Sequence, residues 1–282
     1  QKRLLYDSGV KVPMIIRFPN SNHHYQRDDS MISFIDLAPT LLSLAKIQPP
    51  QHMQGKAFLG KYKRDIEPKY LFGAADRFDE TTDHVRSVRD KNFKYIKYYD
   101  LEKPLFLEVT YRNQMPIMQE LLRLKKEGNL NKDQALWFRE TKPNEELFDI
   151  QNDPYEIHDL SQDPAYKSTL EAMRKACENW TDEINDTGLI NEEALIANFH
   201  PQGFQPQTQS IQVQVQNGNV KLFSATEGAS IGYKIVKDGI NPDNTSWTVY
   251  SKPITLMTNE KLLAVAHRIG YLPSEELQFI SN

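Results

Sequence analysis

The stretch Gln1-Lys2-Arg3-Leu4-Leu5-Tyr6-Asp7-Ser8-Gly9-Val10-Lys11-Val12-Pro13-Met14-Ile15-Ile16-Arg17-Phe18-Pro19 decides how the rest of the chain is read. Residues 12–18 are mostly apolar and bracketed by Pro13 and Pro19, a pattern that predicts a short buried strand of a mostly parallel sheet. Residues 1–11 are a polar loop leading into it. Downstream, 31–44 carries Ile32, Ile35, Leu37, Leu41, Leu42 and Leu44 at helical spacing, which predicts an amphipathic helix packed on that sheet with Ser30 as its N-cap.

The chain has 282 residues, 39% hydrophobic and 26% charged, enough apolar content for one sizeable core and a small second domain. No apolar run is long enough to span a bilayer, and no basic segment followed by an apolar one opens the chain. A net charge of −4, with basic and acidic residues interspersed, gives no electrostatic case for a nucleic-acid partner. The single cysteine, Cys177, excludes an internal disulfide and any multi-cysteine zinc site. It lies on the apolar stripe of a helix expected over 166–184 and reads as a small core residue. The polar stretch 21–29, with His23, His24, Asp28 and Asp29, fits no metal-ligand spacing and reads as a surface loop.

The order Lys-x-x-Leu-Tyr-Asp-x-Gly-x-x-Val-Pro, from Lys2 to Pro13, resembles the segment after the last metal-ligand loop in the formylglycine-dependent sulfatases of the alkaline phosphatase superfamily. Further matches follow along the chain. Asp36-Leu37-Ala38-Pro39-Thr40 resembles a scaffold helix of that family, and Arg86-Ser87-Val88-Arg89 with Phe93-Lys94-Tyr95-Ile96 resembles its antiparallel carboxy-terminal sheet. Glu146-Leu147-Phe148-Asp149-Ile150 through Asp153-Pro154, Glu156 and Asp159-Leu160 resembles a strand-and-turn signature in which these acids serve turns and caps. Tyr111-Arg112-Asn113-Gln114-Met115-Pro116 and 76–80 resemble a subgroup of bacterial polysaccharide sulfatases.

This resemblance implies a sulfuric ester hydrolase acting on a sulfated polysaccharide or oligosaccharide, in the periplasm or secreted. Lys2 would be its catalytic lysine, a fixed cation beside the oxygens where charge develops in sulfuryl transfer. Read from the residues alone, Lys2 is a solvated lysine near a chain end. The neighbours of Cys177 do not fit the family's nucleophile signature and no serine does. The formylglycine and the calcium (Ca2+) ligands are therefore expected in an N-terminal portion of the same protein preceding this chain, with no metal ligand here. A phosphodiesterase or phosphonate hydrolase of the same superfamily, and a stand-alone binding module, are the alternatives.

The loop 76–84 is where substrate selection is expected, since loops on a rigid scaffold carry specificity. Asp76 can accept from sugar hydroxyls, Arg77 can pair bidentately with an anion, and His84 can donate or accept. Arg112 is a further candidate for anion contact. The competing reading is a surface loop whose acids pair with Arg77.

The expected organisation is the carboxy-terminal part of the α/β core at 1–68 and a subdomain of antiparallel sheet plus helices at 69–200. A Pro- and Gln-rich linker follows at 201–209, and a β-sandwich at 210–282. The last resembles the immunoglobulin-like domain that ends bacterial chitobiases, an accessory module. Trp247 is read there as a packed core tryptophan, with sugar contact as the alternative.

Overall fold

The computed structural model describes residues 4–18, 27–200, 203–216, 218–237 and 239–280. The chain forms two compact units, Gln1–Leu189 and Ile190–Asn282.

The first unit begins with a single-turn helix, α1 (Asp7–Val10), and continues as an extended segment. The strand expected at 12–18 does not form: among the described residues this segment pairs with no strand, and Val12, Met14, Ile15, Ile16 and Phe18 are exposed. An apolar, β-branched run makes a strand only beside a sheet edge, and the described residues place none there.

A 3-10 turn (Phe34–Asp36) then leads into α2 (Leu37–Leu44), a shorter helix than the sequence predicts. Its N-terminal signal is Ser33, whose N–H donates to Asp36 Oδ2 at 3.1 Å, three residues beyond the expected Ser30. The helix also faces the opposite way. Asp36, Thr40 and Ser43 are buried, whereas Phe34, Ile35, Leu37, Leu41 and Leu44 are exposed.

The polar face has a specific partner. The backbone N–H groups of Lys56, Phe58 and Tyr62 donate to Asp36 Oδ1 (2.9 Å), Thr40 Oγ1 (3.1 Å) and Ser43 Oγ (2.8 Å). Three side chains on successive turns thus satisfy a stretch of backbone that has no strand beside it. Arg64 closes the arrangement through Asp36 Oδ2 (2.9 Å) and the Met31 carbonyl (2.6 Å). Asp36 is scaffold, as its place in the sequence suggests. Gly55 is required here, because a Cβ would overlap the Ile35 carbonyl.

Four strands, β1 (Leu71–Phe78), β2 (Thr81–Arg89), β3 (Phe93–Tyr98) and β4 (Glu145–Asp149), make an antiparallel sheet in the order β1-β2-β3-β4. Three helices, α3 (Thr110–Asn113), α4 (Pro116–Glu127) and α5 (Lys132–Trp137), lie between β3 and β4 in sequence, and α6 (Lys167–Glu183) follows β4. Gly128, with φ +70°, ends α4 in the left-handed region. Asn131 opens α5 by accepting the Gln134 N–H at 2.8 Å.

Both faces of this sheet are covered. On one face Val88, Tyr95 and Leu147 pack against Leu170, Met173 and Cys177 of α6. On the other, Val85, Ile96, Tyr98 and Phe148 pack against Leu5, Leu105 and Ile150.

Among its described residues the second unit holds α7 (Glu192–Phe199) and seven strands: β5 (Gln212–Gln216), β6 (Asn219–Phe223), β7 (Ser230–Lys237), β8 (Thr248–Val249), β9 (Ile254–Thr255), β10 (Glu260–His267) and β11 (Leu277–Ile280). They form two sheets, β11-β10-β7-β8 and β5-β6-β9, around Val220, Leu222, Ile231, Leu262, Ala264 and Ala266. This is the expected sandwich. Trp247 is not in its core, however: the side chain is 49% exposed and lies against Gly232, with Lys234 Nζ 4.7 Å from the ring centre. The core is already filled by aliphatic residues and by the Tyr233–Tyr250 pair, which leaves the indole at the surface.

Candidate functional site

An open cleft of about 430 Å3 lies in the first unit between the chain's opening residues and the far end of β1. Leu4, Leu5, Gly9 and Val10 form one wall, and Asp76, Arg77 and Asp79 the other.

The β1 wall owes its shape to a bulge. Ala75 pairs with Val85 and Arg77 with Thr82, so Asp83 and His84 of β2 together oppose the single residue Asp76. Such two-against-one registers bend the strand and re-aim side chains. The segment 76–84 is consequently a hairpin end rather than the irregular loop expected: β1 runs to Phe78, β2 starts at Thr81, and Asp79, with φ +53°, makes the turn.

Asp76 is held from behind. Its Oδ1 accepts from Arg86 Nη1 at 2.6 Å, and its side chain is 37% exposed. Arg86 is wholly buried and donates through Nε and Nη2 to both oxygens of Asp186 (2.6 and 3.0 Å) and through Nη1 to the Val85 carbonyl (2.8 Å). Burial works against the guanidinium charge, but the Asp186 and Asp76 carboxylates more than offset it and hold the pKa above the ordinary value. Burial also opposes the Asp186 charge, yet the Arg86 hydrogen bonds and the Gly188 N–H (2.9 Å) keep its pKa below the usual carboxylate range. A Cβ at Gly188 would displace the ends of the Arg86 and Asp76 side chains and disturb their ion pair.

Of the residues singled out by sequence, Asp76 and Arg77 therefore share the cleft wall. Lys2 lies outside the described residues, as do His23 and His24; Leu4, two positions after Lys2, lines the cleft. His84 is turned to other work, with Nδ1 2.8 Å from Asp100 Oδ2. Burial opposes the Asp100 charge, but contacts with Lys103 and His84 hold its pKa below the ordinary value. Arg112 is folded onto aromatic rings, its guanidinium carbon 4.7 Å from the Phe106 centre and 5.7 Å from that of Trp137, and it donates to the Leu107 carbonyl. It lines a small enclosed cavity of about 20 Å3 beside Leu5 and Tyr6, not the open cleft.

Sequence reasoning missed Arg86, whose signal is an arginine between Val85 and Val88 in the middle of a strand. On a strand covered on both faces, such a residue must be paired with carboxylates.

The described residues do not fit a metal or a formylglycine nucleophile. Among them no group of three or more His, Cys, Asp or Glu side chains is placed to hold a metal ion. Cys177 is buried, and burial pushes its thiol up to about 11, the reverse of an activated cysteine. Among the described residues no helix is long and apolar enough to cross a membrane.

Comparison with known proteins adds the following. A family model described as "N-sulphoglucosamine sulphohydrolase, C-terminal" matches residues 1–127, and one described as "Chitobiase/beta-hexosaminidase C-terminal domain" matches 212–277. The chain is 47% identical over 283 residues to an ulvan-active sulfatase of Formosa agariphila, covering 100% of this chain and 47% of that protein. A second ulvan-active sulfatase of the same bacterium is 28% identical over 194 residues, 67% of this chain and 36% of that protein. A solved putative sulfatase from Bacteroides thetaiotaomicron, 24% identical, superposes over 54% of this chain and 25% of that one with a TM-score of 0.35. The chain thus spans less than half the length of these curated relatives.

Proposed function

The chain belongs to the sulfatases, through their carboxy-terminal region followed by a chitobiase-type domain, and on that premise we propose that it builds one side of the substrate cleft in an enzyme that removes sulfate esters from a sulfated polysaccharide. The observation that carries this reading is the cleft itself. Its β1 wall presents Arg77 beside an Asp76 carboxylate fixed by the buried Arg86, facing the opening segment that bears Lys2 two residues before Leu4.

In this reading Arg77 pairs with a sulfate or carboxylate of the glycan, and Asp76 accepts from a neighbouring sugar hydroxyl. Lys2 stabilises the charge that develops on the departing alcohol oxygen. His84 and Arg112 act on the substrate only through the segments they hold. The calcium ion and the formylglycine are assigned to a preceding portion of the same protein, since the described residues hold no group placed to bind a metal and Cys177 is buried. The exposed apolar side chains of 12–18 and of the outer face of α2 are the surface that this portion covers. The identity to an ulvan-active sulfatase supports ulvan or a similar sulfated polysaccharide as substrate, and a substrate of that size is expected to be met in the periplasm or outside the cell.

The test is release of inorganic sulfate by the full-length protein from sulfated oligosaccharides, with an aryl phosphodiester run alongside. Sulfate release is expected to dominate. Arg77→Ala is expected to raise KM about tenfold with a smaller change in kcat, the loss of one charge-assisted contact. Faster turnover of the phosphodiester, or glycan binding with no hydrolysis at all, would replace this function with another. An unchanged KM in Arg77→Ala would remove Arg77 from the substrate site.

A further inference from the structure

The opening wall of the cleft is held in place by residues from two distant segments, and one of the anchors is a buried carboxyl. Glu156 lies just past the Asp153-Pro154 turn in the left-handed region, at φ +54°, and is 6% exposed. A non-glycine residue in that conformation is strained, so the surrounding structure must hold it there. Glu156 Oε2 accepts the backbone N–H of Asp7 at 2.6 Å, and Oε1 is buried with no hydrogen-bond partner among the described residues.

Asp7 is the first residue of α1, a turn that has no side-chain cap of its own. The first N–H groups of a helix have no partner within it, and Glu156 supplies one from 149 residues away. Gly9 and Val10 at the other end of this turn line the cleft.

The charged groups facing Glu156 come from three elements. Asp7 is on α1, Arg89 on β2 and Lys94 on β3, and the Asp7 carboxylate itself contacts Arg89 Nε at 3.2 Å and Lys94 Nζ at 3.4 Å. With Glu156 ionised, two negative and two positive charges face one another. With Glu156 protonated, the cluster carries an unbalanced positive charge and the Asp7 N–H loses a charged acceptor.

We propose that Glu156 is a positioning residue for the cleft, holding residues 4–10 in order through the Asp7 amide more firmly when ionised than when protonated, so that anion capture at this wall depends on pH. This rests on the sulfatase reading of the cleft. Burial, opposed by Lys94, pushes the Glu156 carboxyl up to about 7, so the change falls near neutrality.

The same proton has the opposite effect on overall stability. The folded-state pKa lies above the value of 4.5 for an unperturbed glutamate. The stability this group contributes is therefore fully present below about 4.5 and is lost as pH rises through about 7. The local anchor tightens over the pH range in which the fold as a whole weakens.

Glu156→Gln separates the two effects, because the amide keeps an acceptor for the Asp7 N–H but cannot ionise. The full-length protein and this variant are compared at pH 5.5 and 8 by thermal melting, by hydrogen exchange at Asp7 corrected for intrinsic rate, and by KM for a sulfate ester. At pH 8 the variant is expected to melt higher, to protect the Asp7 amide less, and to show a KM about three- to tenfold higher, the difference between a charged and a neutral acceptor. At pH 5.5 the exchange and KM differences are expected to vanish and the melting difference to shrink, since part of the loss already falls between about 4.5 and 5.5.

Equal Asp7 protection in both proteins at pH 8, or an inflection near neutrality that persists in the variant, overturns the proposal. If melting and exchange behave as expected while no sulfate ester is turned over, the sulfatase reading fails and the anchoring role of Glu156 stands.

Discussion

Arg86→Met is expected to lower the unfolding free energy of the first unit by about 3–5 kcal/mol, the cost of stranding buried carboxylates. The side chain has no exposed surface, and its partners include Asp186, only 10% exposed. Methionine fills much of the volume but donates nothing, so Asp186 keeps a single N–H donor, that of Gly188, and faces Asp76 without an intervening cation. Asp186 would then recover part of the cost by taking up a proton, and the loss should shrink as pH falls toward 4.

In the native protein the sign is the reverse. The Asp186 pKa is depressed, so its contribution is present above the unperturbed value of 3.8 and is lost as pH falls through the folded one. Urea unfolding at pH 7.5 and pH 4.5 measures both effects. Arg86→Lys should recover only part of the loss, because one ammonium cannot reproduce the bidentate contact with Asp186 and still reach Asp76. A native-like midpoint for Arg86→Met at pH 7.5 would show that the ion pairs seen here contribute nothing net.

Glu146→Ala is expected to cost a similar amount, about 3–5 kcal/mol, through donors left without an acceptor. Glu146 is 2% exposed on β4 and gathers Tyr6 Oη (2.7 Å), Tyr98 Oη (2.7 Å) and Arg139 Nη1 (2.6 Å). Burial and then the nearby Glu146 charge raise the pKa of Tyr6 far above the usual phenol value, so it remains a neutral donor. Because Tyr6 belongs to the opening segment, the variant should also loosen the cleft wall at Leu4 and Leu5. Glu146→Gln keeps an acceptor and should lose much less. A loss below 1 kcal/mol for the alanine variant, measured by equilibrium unfolding, would mean that water replaces the missing oxygens without penalty.

The elements legible from sequence are those whose cause lies within about twenty residues. The hairpin of β2 and β3 follows from two β-rich runs around Asp90, whose Oδ1 takes the Asn92 and Phe93 N–H groups at 2.8 and 2.7 Å. Helix α4 follows from Pro116 at its start and Gly128 at its end, and α6 from the Leu170, Met173 and Cys177 stripe. What sequence reading does not reach is decided by partners far along the chain. Arg86 meets Asp186 a hundred residues away, and Glu146 meets Tyr6 across 140.

The same limit applies to the candidate site. Asp76 and Arg77 are recognisable as polar residues at a strand end, and the structure sets both in the cleft wall. His84 and Arg112 carry the right chemistry, but Asp100 and the rings of Phe106 and Trp137 engage them, and nothing local announces those partners. The orientation of α2 is misjudged for a related reason. Counting apolar residues at helical spacing identifies the greasy side of a helix, but not whether the described part of the fold lies on that side.

The hydroxyl and carboxylate ladder of Asp36, Thr40 and Ser43 sets up a reversed pattern of mutational tolerance along one short helix. At these three positions a substitution succeeds or fails by whether an oxygen can still reach the amides of Lys56, Phe58 and Tyr62, so a volume-matched Thr40→Val should be worse than Thr40→Ser. At Leu37, Leu41 and Leu44 the outcome depends on company. Charged replacements there would be silent in a molecule that keeps this side bathed in solvent and damaging in one that seats it against a neighbour, so a substitution scan of eight residues reports on a contact that lies beyond them.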